Sequence, residues 1–116
     1  MCASSTTTGS PVNRLLAVCA LVGTLLMAAP APAAEPIAIA IRNYTFVPAE
    51  ITVPRGSEIR WTNEDATVHS ILAVNKSFHS PGLDTADSFT MRFDEPGEFV
   101  YVCGLHPHMT GKIRVQ

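Results

Sequence analysis

The chain has 116 residues, enough for one domain, with 47% apolar residues, ten acidic against eight basic side chains and a net charge of −2. That balance excludes nucleic acid as a partner, because neutralising phosphates requires a concentrated positive face. Its three cysteines are an odd number, so a framework of paired disulfides does not account for them.

Residues 1–33 read as a secretory signal peptide. A polar start with Arg14 as its only base leads into the apolar run from Leu15 to Ala29 and then the small-residue stretch from Pro30 to Ala34. Ala31 and Ala33 are small enough for a cleavage site. The apolar run is shorter than the ~20 residues of a spanning helix, so removal is expected and not anchoring. Without a twin-arginine pair the general secretory route is indicated. Val18 stands before Cys19 where a lipid-attachment site needs a small residue, so Cys2 and Cys19 are expected to leave with the leader. The remaining domain, residues 34–116, is then periplasmic or secreted, has no stable membrane insertion, and keeps one cysteine, Cys103.

Beyond residue 36 the pattern is short β-rich runs separated by turn signals, with no helical periodicity. Strands are predicted at Ile37–Asn43, Glu50–Val53, Glu58–Asn63, His69–Val74, Ser88–Phe93, Phe99–Cys103 and Lys112–Val115. Pro54-Arg55-Gly56 and Glu95-Pro96-Gly97 supply turns, since proline presets φ and glycine tolerates the left-handed region. About seven short strands without a helix predict an all-β fold, an antiparallel Greek-key β-sandwich. Its two-layer core is expected to comprise Ile39, Ile41, Phe46, Ile51, Val53, Ile59, Trp61, Ile71, Phe89, Phe93, Phe99, Tyr101, Ile113 and Val115. A core this small benefits from a staple, and a bound metal would serve where no disulfide is available.

The C-terminal segment Val100-Tyr-Val-Cys-Gly-Leu-His-Pro-His-Met-Thr-Gly111 carries a thiol, two imidazoles and a thioether within seven residues. The strand period of two puts Cys103 on the same face as Phe99 and Tyr101. His106 follows three residues on and Met109 three after that, a spacing that lets one tight loop gather its side chains around a point. Pro107 makes the rings of His106 and His108 diverge, so both are not expected to reach one ion. A remote imidazole is available at His69, just beyond the polar Asn63–Thr67 loop. One thiolate, two nitrogens and a weak thioether suit an electron-transfer copper site. Zinc prefers a tetrahedron without a thioether, and iron–sulfur clusters need more thiolates.

Several stretches carry a family likeness: Gly56-Ser-Glu-Ile-Arg-Trp-Thr-Asn63, Val68-His-Ser-Ile71, Phe93-Asp-Glu-Pro-Gly-Glu-Phe-Val-Tyr-Val-Cys103 and His106-Pro-His-Met-Thr-Gly-Lys112. From Ile37 onward the chain resembles the small bacterial cupredoxins, the blue-copper family of plastocyanin, pseudoazurin and especially amicyanin. The resemblance implies one copper ion, cycling between Cu(II) and Cu(I), on His69, Cys103, His106 and Met109, within a short amicyanin-type loop. It also implies that His106 presents an exposed edge in an apolar patch with Leu105, Pro107 and Val47 or Pro48. Two positions depart from the family pattern: His108 stands where an aromatic residue is typical, and Ser70 where asparagine is common.

The function implied is a type 1 (blue) copper electron-transfer protein, a monomer shuttling single electrons between exported redox partners such as a dehydrogenase, a cytochrome c or an oxidase. The rival reading is a periplasmic copper carrier or store, which His108 beside His106 allows. An enzyme is not expected, because the scattered carboxylates offer no acid–base pair and no third group orients a Cys–His pair.

Overall fold

The structure is a computed structural model that describes residues 23–28 and 34–116; the predicted leader and its cleavage site lie almost wholly outside the described residues. Residues 23–28 have no regular secondary structure. Eight strands follow: β1 Ile37–Arg42, β2 Thr45–Val47, β3 Glu50–Val53, β4 Ser57–Asn63, β5 Leu72–Ala73, β6 Ser88–Phe93, β7 Gly97–Val102 and β8 Thr110–Val115.

The strands form two four-stranded sheets, ordered β2-β1-β4-β6 and β3-β8-β7-β5. Alternation explains the layering, since in β4 Ile59, Trp61 and Asn63 are buried while Glu58 and Arg60 are exposed. The inner faces interlock through aromatic rings: Trp61 of one sheet meets Tyr101 of the other edge-on at 5.5 Å, and Phe46 meets Tyr101 at 4.7 Å. Of the core residues named from the sequence, Ile51, Phe89 and Phe99 are only partly buried and pack against the core, while the others are buried; Ala73, Phe78, Leu83, Cys103 and Met109 join them.

The sandwich is the predicted one, with local differences. Two pairings are parallel, β1 with β4 and β3 with β8. The chain crosses from the first sheet to the second between β2 and β3 and returns as β4 beside β1, so those neighbours run in the same direction. An eighth strand, β2, arises because Asn43 and Tyr44 make a two-residue hairpin turn, with φ of 50° and 56°. The segment His69–Val74, predicted as one strand, pairs regularly only at Leu72 and Ala73. Its backbone donors are divided among unlike acceptors: His69 N–H goes to the Leu83 carbonyl, Ser70 N–H to the Cys103 sulfur and Ile71 N–H to the Ser80 hydroxyl. Each is satisfied, but not by a single ladder.

Candidate metal centre

The parallel register of β1 and β4 places Ile41 opposite Asn63, so both strands leave the sandwich at the same end. Here the Asn43–Tyr44 turn meets the loop that follows β4. Asn63 is fully buried and organises that loop, its side-chain amide donating to the carbonyls of Thr67 and Leu83 while its Oδ1 accepts the Asp65 N–H. The loop is thereby tied to the segment carrying His69, whose backbone exchanges two hydrogen bonds with Leu83.

Cys103 enters from the end of β7. Its N–H donates to the Met109 carbonyl at 3.1 Å, and the Met109 N–H donates to the His106 carbonyl at 2.9 Å. These two bonds close the loop tightly enough to bring the His106 ring back over the sulfur. The Cys103 Sγ lies 3.7 Å from Nδ1 of His69 and 3.6 Å from Nδ1 of His106. The three donor atoms all fall within 4.8 Å of one another. Cys103 and His69 are fully buried, His106 is half-buried, and Met109 is buried beneath the loop.

Two of the three converging donors, His69 and Cys103, have hydrogen-bonded support from behind. Nε2 of His69 contacts Oδ2 of Asp65 at 2.9 Å. A carboxylate only accepts, so the proton sits on Nε2 and the Nδ1 lone pair faces the sulfur side, as a metal-binding imidazole requires. Asp65 is itself held by the N–H groups of Asn43 and Tyr44 at 2.7 and 2.9 Å. Partial desolvation pushes its carboxyl upward, but the Tyr44 and Asn43 amides and the His69 ring together outweigh that and keep it below its ordinary value. The Cys103 sulfur accepts the Ser70 N–H at 3.4 Å. Ser70 Oγ in turn accepts the Gly104 N–H at 3.0 Å, so the residue that departs from the family pattern still braces the two loops against each other.

The sequence-derived residues thus divide clearly. His69, Cys103 and His106 converge. His108 is exposed, its ring 6.2 Å from that of His106 and nearly perpendicular to it, as the diverging geometry around Pro107 requires. His79 is also exposed, on a bridge to Leu72. Sequence reasoning passed over Asp65, Asn63 and Tyr44. The only local signal was the polar Asn63-Glu64-Asp65 run, which reads equally well as an ordinary turn.

The donor set fits a soft or borderline ion in a site built around one thiolate. The buried sulfur with its amide donor and the tautomer set by Asp65 are features of such a centre, and oxygen-preferring cations would find no oxygen among the three converging atoms.

Comparison with known proteins agrees. The family model described as a cupredoxin-like domain matches residues 15–115. Amicyanin-alpha of Methylorubrum extorquens is 31% identical over 93 residues, covering 76% of this chain and 76% of that protein. A purple cupredoxin from Nitrosopumilus maritimus superposes with a TM-score of 0.65 at 31% identity, covering 69% of this chain and 99% of that one. A copper-containing nitrite reductase from Thermus scotoductus gives a TM-score of 0.68 at 28% identity over 78% of this chain, which spans only 25% of that larger protein. The chain belongs to the cupredoxin-like family, and copper is the ion its sulfur-and-imidazole site fits.

Proposed function

We propose that this protein is a type 1 copper electron carrier of an exported compartment, with His69, Cys103, His106 and Met109 as the ligands. The observation that carries the reading is the convergence of one thiol and two imidazoles from segments 34 residues apart, with donor atoms within 4.8 Å. When bound, copper supplies a one-electron couple between Cu(II) and Cu(I). The similarity to amicyanin-alpha along three-quarters of both chains supports an electron carrier. The nitrite reductase, of which the chain spans a quarter, lends the fold but not its catalysis.

The protein's own part is to keep the donors still. Electron exchange is fast when the ligand frame needs little rearrangement between oxidation states. Here Asp65 orients His69, and Ser70 and Gly104 tie the two donor loops together. Cys103 supplies the thiolate and Met109 the weak fourth donor. His106, half-buried at the rim, is the route to a redox partner. Around that end Tyr44, Val68 and Leu105 are exposed at 44%, 37% and 57%, an apolar rim suited to brief encounters over a small contact area. Export follows from residues 1–33 acting as a cleaved leader.

Addition of Cu(II) to the purified protein tests this. An intense visible band with the narrow copper hyperfine splitting of a thiolate site is expected. Cys103→Ser abolishes it and His108→Ala leaves it. A pale ion stripped readily by chelators would favour the copper-carrier reading instead.

A further inference from the structure

The two imidazoles are not held alike. His69 is oriented by the Asp65 carboxylate, but among the described residues nothing hydrogen-bonds Nε2 of His106. What His106 has is an aromatic neighbour: the Tyr44 ring stands edge-to-face to it at 5.1 Å and 89°, and simultaneously to His69 at 5.2 Å and 88°. The two imidazoles are themselves 5.1 Å apart at 63°. Tyr44 therefore bridges both rings.

Its own position is costly and heavily secured. It occupies the second central position of a tight hairpin with φ of 56°, where glycine is the natural residue and an aromatic side chain is strained. The strain is held in place by its N–H on Asp65 and by its hydroxyl on Thr67 Oγ1 at 2.8 Å. Such an outlier points to a role for the side chain it presents. Tyr44 as a residue remains 44% exposed, so core packing does not account for it.

Resting on the copper reading, we propose that Tyr44 is a positioning residue that does for His106 what Asp65 does for His69. Its ring sets the plane of the rim imidazole by an edge-to-face contact while leaving the outer edge of that imidazole open. A hydrogen-bonding partner on Nε2 would cover that edge, whereas an aromatic clamp alongside does not. One aromatic contact of this kind corresponds to about a two- to tenfold change in an equilibrium, and loss of a group supporting a metal ligand typically weakens binding about 10–100-fold.

The test compares the parent with Tyr44→Gly, which suits the turn and removes the ring, and with Tyr44→Phe, which keeps the ring and removes only the hydroxyl. Copper release to a chelator is expected to be about tenfold faster in Tyr44→Gly, with altered copper hyperfine splitting, and to be restored by Tyr44→Phe. In the copper-free protein, proton NMR is expected to show contacts from Tyr44 to both imidazoles, and broadened His106 ring signals once the ring is gone. Tyr44→Asn, also tolerant of positive φ, provides a second ringless variant should Tyr44→Gly fold poorly. Equal retention and unchanged His106 signals in a folded ringless variant overturn the clamp. A parent protein without the intense visible band refutes the electron-carrier reading instead, and the NMR comparison still decides the role of Tyr44.

Discussion

Replacing Asp65 by alanine removes three acceptor contacts at once: those from Nε2 of His69, the Asn43 N–H and the Tyr44 N–H. The turn amides lie at the surface and regain water, so their loss is small, about 0.5 kcal/mol each. The His69 contact is different, because the imidazole is fully buried and its N–H would be left without a partner. A hydrogen bond to a charged acceptor contributes about 1.5–3 kcal/mol. Part of this is offset, since the carboxylate's own desolvation disappears with it. The expected net loss is about 2–3 kcal/mol for the copper-free protein, a large share of a small domain's stability. It should appear in urea unfolding as a lower midpoint with an unchanged slope. Copper affinity should fall about 10–100-fold in parallel, because the His69 ring and its tautomer are no longer set. Asp65→Asn retains an acceptor and should lose less on both counts. A stability change below about 0.5 kcal/mol, the range of ordinary surface substitutions, would refute the reasoning. So would a destabilised variant that binds copper as tightly as the parent.

Two further predictions concern the core that carries the site. The Tyr101 hydroxyl is buried, and desolvation raises its pKa to about 12; the nearby Trp61 indole N–H opposes this in part, although among the described residues neither atom has a hydrogen-bond partner. The unfolded chain ionises near pH 10 and the folded one near 12, so stability is unaffected below pH 10 and falls above it, by about 2 kcal/mol at pH 12. Tyr101→Phe should remove that alkaline loss without reducing stability at neutral pH, as measured by thermal melts across pH 8–12. Gly111, at the start of β8, lies under the Tyr101 ring, and a Cβ there would overlap the ring's outer atoms. Gly111→Ala is therefore expected to cost about 1–3 kcal/mol in urea unfolding by overpacking; a variant as stable as the parent would show that the ring can move aside.

Much of this protein is local and therefore legible in its sequence. Period-two alternation in Phe99-Val-Tyr-Val-Cys103 sends Tyr101 and Cys103 inward, and the three-residue step to His106 suffices to bring a ring back over the sulfur. Pro107 turns His108 aside for equally local reasons. The turn tripeptides and the apolar residues of the core follow from the same short-range rules.

What lay beyond reach was whatever depends on strands meeting from distant parts of the chain. The Asn43–Tyr44 turn reads as the tail of a strand until β2 folds back, and Asp65 reads as a solvated loop residue. They become supports of the site only because β1 and β4 run parallel with Ile41 opposite Asn63, which sets turn and loop side by side. Likewise His69 leaves its expected strand because its neighbours' backbone donors find partners on Cys103 and Ser80. A side chain's facing is decided by its nearest neighbours in sequence. The company it keeps is decided by the register of whole sheets, which depends on the summed packing of the core and is written at no single position.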